Sequence, residues 1–310
     1  MTSFQEILLS DGMMESMFPP DDHNVSVKAP AEDTPFQEHL SITADDGAVL
    51  TAELTGEGPL VVLSHCWTGS HAIWAPVAKR LVERGHRVLS YDQRGHGAST
   101  IGSEGLTIQR IGADLAFLLQ SIEAKDATVA GHSLGGMAIQ AMALHHPDCI
   151  HKHVREVFLV ATAAYGIGIN RLRELITSVI GSAPLEWVMR RRLGHLLVRG
   201  ALGRKARKED IVNTRDHFVT CESNVRSAIL AAMQVMDLRD LKWTDVPVTV
   251  VHGTRDFLTP PSRGRELANR LGAELVWVEG AGHMLPLEVP DQIADLLGKA
   301  TGDPPRKTFK

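Results

Sequence analysis

Six residues, Gly131-His132-Ser133-Leu134-Gly135-Gly136, constrain the fold of this chain more than any other stretch, because of what flanks them. Residues 127–130 (Ala-Thr-Val-Ala) read as a short buried strand, and residues 137–144 as a helix that is apolar all round. The backbone between them must turn sharply enough to leave a serine hydroxyl exposed at a strand tip. Glycines two before and two after the serine leave room for that turn, where any side chain would clash. Alone, G-x-S-x-G is a weak match. Strand, turn and helix in this order make it a nucleophile elbow.

A serine hydroxyl attacks only when a base removes its proton, so the elbow predicts an acid and then a histidine further along the chain. Residues 246–251 read as a strand that ends in His252-Gly253-Thr254-Arg255-Asp256, which leaves Asp256 just past a strand tip. Residues 274–278 are another strand, followed by Gly280-Ala281-Gly282-His283. Glycines on both sides of Ala281 let that loop fold back, so that His283 can reach the serine. Neighbouring parallel strands then bring Ser133, Asp256 and His283 to one end of a sheet.

The rival residues are weaker. His252 sits one residue inside its strand end and suits a packed or hydrogen-bonded role. Asp92 also follows a strand, but it precedes the serine, and its Gly-rich surroundings (Tyr91 to Gly97) suit a structural turn. No carboxylate directly follows the strand at 157–160. His145, His146, His151 and His153 gather around Pro147-Asp148, and such a spacing can bind metal. They lie on the sheet side opposite the strand tips, without cysteines or paired carboxylates in register. A surface turn is the better reading there, and no metal site is expected.

These residues resemble the α/β-hydrolase family, over roughly residues 37 to 300. The matches are the Leu63 to Trp67 segment (LSHCW), YDQRGHGAS at 91–99, GHSLGG at 131–136, HGTRDFLTP at 252–260 and GAGHMLPLEVP at 280–290. The resemblance implies an α/β fold, a mostly parallel doubly wound sheet with a helical cap insertion, and points to the esterase/lipase-like branch. It also implies an oxyanion hole built from the backbone N–H after the nucleophile and one from the loop after the third strand. Carried over, these are the amides of Leu134 and Trp67. The departure is Cys66, where the family usually has glycine, and it bears on how the Trp67 amide approaches the site. A small residue packed under that loop is favoured over a reactive thiol.

Outside the motifs, strands alternate with helices, the pattern of a sheet covered on both faces. Residues 40–43 and 49–54 form a hairpin about Asp45-Asp46-Gly47, strands at 60–64 and 87–91 flank a helix near 74–84, and 107–122 is the next helix. The alternation stops near Ala163 and resumes at Val246. The expected organisation is thus a core over 37–162 and 246–310 and a helical cap over 163–245.

Four cap helices are expected, at 170–181, 184–202, 209–221 and 224–236, with Pro184 in a first turn and Gly181 and Gly203 at helix ends. The second carries a broad apolar face of Leu185, Trp187, Val188, Met189, Leu193, Leu196, Leu197 and Val198. Most of it should pack between cap helices, and part should line an apolar acyl pocket above Ser133. Arg190-Arg191-Arg192 reads as a solvated helix face, with contact to anionic lipid or an acidic substrate as the functional alternative.

Charge is uneven along the chain. Residues 1–46 hold ten Asp and Glu and one Lys, whereas 163–245 hold fourteen Lys and Arg and nine Asp and Glu. Residues 1–36 read as an acidic arm, either a solvated tail or a helix carrying Phe4, Ile7, Leu8, Met13, Met14, Met17 and Phe18 against the basic insertion.

At 310 residues the chain is long enough for one large α/β domain with an insertion. With 44% hydrophobic and 22% charged residues it has an ordinary globular composition, and a net charge of −5 argues against general nucleic-acid binding. No basic leader with a long apolar run opens the sequence, and no stretch nears the ~20 apolar residues of a membrane helix. Three widely spaced cysteines, Cys66, Cys149 and Cys221, form no disulfide framework and suit a reducing cytoplasm.

The expected chemistry is hydrolysis of a small-molecule or lipid-like carboxylic ester through an acyl-enzyme, with no metal or organic cofactor. Serine in the nucleophile position argues against dehalogenase-like and epoxide-hydrolase-like chemistry, and only Tyr165 falls in the cap, where the epoxide type wants two tyrosines. Thioesterase, lactonase, amidase, carbon–carbon hydrolase, cofactor-free haloperoxidase (perhydrolase) and hydroxynitrile-lyase readings share the triad. So does a slow-turnover ligand receptor on the same fold. Oligomeric state is not legible.

Overall fold

The computed structural model of the protein describes residues 37–166, 173–243 and 245–300. The acidic arm expected over residues 1–36 lies outside the described residues. The strands are β1 (Gln37–Thr43), β2 (Val49–Thr55), β3 (Leu60–Ser64), β4 (Arg87–Tyr91), β5 (Ala127–His132), β6 (Val154–Val160), β7 (Val248–Gly253) and β8 (Glu274–Val278). They form one sheet in the order β1-β2-β4-β3-β5-β6-β7-β8. β2 runs antiparallel to both β1 and β4, and every other pairing is parallel. The expected mostly parallel, doubly wound sheet is present.

The central strands are unbroken apolar runs because both faces are covered. Val62, Val129, Val157, Leu159 and Val250 face one core. Their chain neighbours Val61, Leu63, Ala130, Phe158, Val160 and Val251 face the other. The helices of the core are α1 (Ala75–Glu83), α2 (Ile108–Ser121), α3 (Leu134–His145) and α4 (Pro147–His153). The first core is closed by Leu115 and Leu119 of α2, Ile139 and Met142 of α3, and Ile150 of α4. The second is closed by Val77 and Leu81 of α1. Each buried leucine or valine contributes about 1.5–3 kcal/mol, which sets the strand register. At the hairpin end, the fully buried Arg94 joins two elements. Its guanidinium donates to Asp114 of α2 (2.7 Å) and to Asp46 of the hairpin turn (3.0 Å).

Between β6 and β7 lie α5 (Arg173–Ile180), α6 (Ala183–Met189), α7 (Arg192–Arg199), α8 (Lys208–Thr220) and α9 (Ser223–Val235). The set docks on α2 and α3, where Cys221, Val225 and Ile229 pack against Ile108, Ile111, Leu134 and Met137. Three later helices, α10 (Pro261–Leu271), α11 (Leu285–Glu288) and α12 (Pro290–Ala300), complete the layers.

Two expectations are corrected here. The single helix expected over 184–202 is two, because the chain turns a corner at Arg190 and Arg191, and Arg191 is extended (φ −106, ψ 171). A Cβ on Gly194 would fall 2.2 Å from the Met189 carbonyl oxygen, so glycine is what lets α7 fold back on α6. A straight helix over that span would run about 28 Å. The corner instead brings Leu185, Met189, Leu197 and Val198 to one cavity. The three arginines are therefore split across the corner and do not share one helix face, but they keep the solvated character expected of them: Arg190 and Arg192 are exposed, Arg190 pairs with Glu186 (2.7 Å), and Arg191 lies over the Trp187 ring (4.7 Å). The histidine-rich segment expected as a surface turn does lie at the surface at His145 and His151, but it is the end of α3 followed by helix α4, and His153 is buried with Nδ1 2.6 Å from the Ala124 carbonyl. Among the described residues no helix is long and apolar enough to cross a membrane.

Candidate active site

Ser133 joins β5 to α3 with φ 52 and ψ −107, a strained region for a residue with a side chain. The flanking glycines serve close approach. A Cβ on Gly131 would sit 2.4 Å from the Gly135 carbonyl, and one on Gly135 would sit 2.2 Å from the Ser64 carbonyl oxygen. Three hydrogen bonds fix the strained residue. Its N–H donates to Val160 O (2.8 Å), and its carbonyl accepts from Thr162 Oγ1 (2.7 Å) and from the Met137 N–H (3.1 Å). Ser133 and His283 line the same cavity, of about 560 Å³.

His283 stands between β8 and α11, with Nδ1 2.8 Å from Asp256 Oδ2. The other carboxylate oxygen of Asp256 accepts from the N–H groups of Leu258 (3.0 Å) and Thr259 (2.8 Å). Burial works against ionisation of Asp256, but the His283 imidazole and the loop amides outweigh it and hold the carboxyl below its ordinary range. An ionised carboxylate only accepts, so in this bond Nδ1 of His283 is the donor, and the neutral ring has its acceptor at Nε2.

The His283 loop is tied on every side. Its N–H donates to Ala201 O (2.9 Å), and its carbonyl accepts from His132 Nε2 (2.8 Å). Burial drives His132 down to about 3, so it is a neutral donor there. Glu288 is a tie the motif reading missed. Its buried carboxylate accepts from the N–H groups of Gly282 (3.0 Å), Met284 (3.1 Å) and Gly203 (2.8 Å), and so joins the histidine loop to the turn after α7. Burial pushes its carboxyl up despite those donors. Glu288 lies inside the quoted GAGHMLPLEVP, and its position five residues after His283 was the available signal.

The rivals have other duties. Asp92 accepts from the His71 N–H (2.7 Å), His71 Nδ1 (2.9 Å) and the Ala98 N–H (2.9 Å). His252 Nε2 is 2.8 Å from Thr259 O, the packed and hydrogen-bonded role expected of it.

Leu134 is the first residue of α3, where an N–H has no carbonyl four residues back within the helix. Trp67 lines the cavity, and its indole N–H donates to Arg226 O (3.1 Å). Cys66 is buried at the cavity wall, packed with Ile73, Leu202, Met284 and Leu287, and burial pushes its thiol up to about 12, which disfavours the thiolate. Its carbonyl receives His65 Nδ1 (2.7 Å), and His65 Nε2 accepts the Gln93 N–H (2.9 Å). The rest of the cavity wall is largely apolar, including Met137, Leu185, Met189, Val198, Leu230 and Met233.

The model of the alpha/beta hydrolase family matches residues 61–296. This chain belongs to that family. This α/β hydrolase is 27% identical over 262 residues to the non-heme chloroperoxidase CPO-A1 of Kitasatospora aureofaciens, covering 81% of this chain and 94% of the relative. It is 24% identical over 253 residues to 3-oxoadipate enol-lactonase 2 of Acinetobacter baylyi, with 81% and 91% covered. Among solved structures it is similar in fold to an esterase from Exiguobacterium antarcticum (TM-score 0.76, 20% identity, 85% of this chain and 99% of that one). It is also similar to the enol-lactonase of Burkholderia xenovorans LB400 (TM-score 0.70, 26% identity, 84% and 99% covered).

Proposed function

We propose that this α/β hydrolase is a serine hydrolase that cleaves carboxylic esters through an acyl-enzyme. The observation that carries the reading is the 2.8 Å bond from His283 to the buried Asp256, at the wall of the apolar cavity that the strained Ser133 also lines. Ser133 Oγ attacks the ester carbonyl while His283 Nε2 takes its proton and passes it to the leaving alkoxide. Asp256 keeps His283 in the required tautomer and stabilises its cation. The amides of Leu134 and Trp67 hold the oxyanion, at about 2.7–4 kcal/mol per donor. Water, deprotonated by His283, then attacks the acyl-enzyme, and the acid leaves.

The helices over 163–245 act as the cap that shapes the acyl site. Leu193 and Leu196 of α7 are 51% and 70% exposed, Leu197 at the cavity wall is 51% exposed, and arginines flank them. This favours peripheral contact with anionic lipid. The three described cysteines are unpaired, which fits a cytoplasmic protein.

The test is a panel of p-nitrophenyl esters of increasing chain length, with thioester and lactone comparators, beside covalent labelling by a fluorophosphonate. Steady turnover of esters, with labelling lost in Ser133→Ala, is expected. Full labelling of that variant would remove Ser133 from the mechanism, and a lactone or thioester far ahead of every ester would reassign the substrate class.

A further inference from the structure

The backbone N–H groups of His283 and of both its chain neighbours each have a fixed acceptor. Those of Gly282 (3.0 Å) and Met284 (3.1 Å) donate to Glu288, and that of His283 donates to the Ala201 carbonyl (2.9 Å). Glu288, at the end of α11, is buried and reaches back over its own turn to do so. The same carboxylate accepts the Gly203 N–H (2.8 Å) from the turn after α7. That turn runs close against the histidine loop. The Arg204 N–H donates to Gly280 O (2.8 Å), and a Cβ on Gly203 would fall 2.3 Å from the Gly282 nitrogen. From the cap, Arg199 Nη1 holds the turn by donating to the carbonyls of Leu202 (3.0 Å) and Gly203 (3.0 Å).

The turn also meets the cavity. Ala201, whose carbonyl takes the His283 N–H, lines it together with Leu197 and Val198 of α7. One short segment of the cap thus borders the acyl space and bonds to the loop of the base. A carboxylate is suited to this join. Ionised, its two oxygens only accept, and together they take three N–H groups. A glutamine has one oxygen, so its NH₂ would face an N–H and leave a buried donor without its acceptor. Burial of a carboxylate is costly, and here it is offset by N–H groups that belong to the histidine loop and the cap turn.

We propose that Glu288 is a positioning residue of the reaction, clasping the His283 loop to the cap turn so that the cap, as well as Asp256, holds the base in place. The proposal rests on the serine-hydrolase reading and adds a second duty for the cap. Esters too short to reach the apolar wall still need His283 aimed at both Ser133 and Asp256, so they too depend on the clasp. Misplacing a catalytic group by about 1 Å costs up to about a hundredfold in rate. His283 acts in both acylation and deacylation, and the acyl wall is untouched by the carboxylate. Loosening the clasp should therefore lower kcat and leave KM in place.

The experiment measures kcat and KM for p-nitrophenyl acetate, butyrate and octanoate in the parent, Glu288→Gln and Arg199→Met. Glu288→Gln should lower kcat about ten- to hundredfold on every ester, with KM within about threefold and fluorophosphonate labelling slowed in step. Arg199→Met, which frees the turn without touching Glu288, should give the same pattern by a smaller factor, and Arg199→Lys should restore part of the loss. Ring-nitrogen NMR spectra of His283, assigned with His283→Gln, read the base without turnover. They should show one Nδ1–H tautomer in the parent and a mixture in Glu288→Gln. A lowered Tm with parent-like kcat and a single tautomer would leave Glu288 a merely structural role and overturn the proposal. A loss of kcat confined to octanoate would also overturn it, because the acyl wall and not the base would then be disturbed. Should Glu288→Gln fail to fold, Arg199→Met decides, and a kcat on acetate within about twofold of the parent's refutes the clasp. If the parent takes no label and turns over no ester while the tautomer is single only with Glu288 intact, the hydrolase reading falls and the clasp stands.

Discussion

Asp256→Asn separates a catalytic from a merely structural carboxylate, and the local hydrogen bonds set its size. Oδ1 of Asp256 accepts two loop N–H groups, from Leu258 and Thr259, and Oδ2 faces His283 Nδ1 at 2.8 Å. An asparagine has one acceptor end. If its oxygen stays with the two loop donors, its NH₂ faces His283 and forces Nδ1 to accept. The proton then moves to Nε2, which can no longer act as base. The reversed amide keeps the productive tautomer but leaves two buried N–H groups unpaired, at about 1–3 kcal/mol each. That limits the productive form to somewhere between a few per cent and about one part in ten thousand, and the lost charge on the imidazolium adds to the deficit. Loss of the correct tautomer in a Ser-His-Asp triad costs about 10⁴-fold, roughly 5.4 kcal/mol. The expected fall in kcat on a p-nitrophenyl ester is therefore between about 10²- and 10⁴-fold, in a variant whose circular dichroism spectrum matches the parent's. A variant that keeps more than a tenth of the parent kcat would show that Asp256 does not set the tautomer of His283.

Other outcomes follow from the same geometry. Ser133→Gly should be inactive yet melt at a higher temperature, because φ 52 with ψ −107 suits glycine and the strain it relieves, of order 1–3 kcal/mol, exceeds the entropy cost. A lower Tm than that of Ser133→Ala would contradict the strain. Burial opposes the charge of Asp92, but its bonds from His71 and Ala98 hold the carboxyl at about 2 against an ordinary 3.8. A depressed acid gives stability that is full above about 3.8 and is lost as pH falls through about 2, here roughly 2 kcal/mol. Denaturant melts between pH 5 and 2 should therefore flatten in Asp92→Asn, and an unchanged slope would assign that acid sensitivity elsewhere. In the apolar cavity each added acyl CH₂ is worth about 0.8 kcal/mol, so kcat/KM should rise about fourfold per carbon from acetate until the space is filled. A flat profile on neutral esters would argue against acyl binding there. Leu196→Asp should leave soluble short esters unaffected and weaken cosedimentation with anionic vesicles, and equal cosedimentation would dismiss the lipid contact.

Much of the core was legible because burial on both faces leaves an unambiguous signature. Strands 60–64, 87–91 and 274–278 coincide with β3, β4 and β8, each a short run between turn residues. Other bounds shifted: β1 and β6 begin three residues before the expected 40 and 157, and β7 begins at Val248 and not at 246, where Pro247 has no N–H to give the ladder. The elbow was legible for a different reason. Its glycines exclude side chains from contacts of 2.2–2.4 Å, and only a few backbone arrangements bring neighbours so close.

The inserted helices were only half legible. Periodicity marked apolar faces but could not say which would be covered. Val198 is buried, while Leu196, two residues before it on the same apolar stretch, is 70% exposed. The corner at Arg190 and Arg191 has no local stop signal stronger than the downstream Gly194, whose close approach to Met189 becomes visible only in the packed pair of helices.

By itself, then, the sequence determined what depends on neighbours along the chain: strand and helix identity, the elbow, and the order serine, acid, histidine. It also placed Asp256 and His283 at the tips of strands, because parallel strands end on a common side. Tertiary structure alone decided which groups meet across long separations. The bond of Glu288 to Gly203 spans 85 residues, and the bond of Tyr165 to Glu266 spans 101. Neither has a local pattern, because hydrogen bonds between distant loops are selected only after both faces of the sheet have been buried and the loops brought within reach.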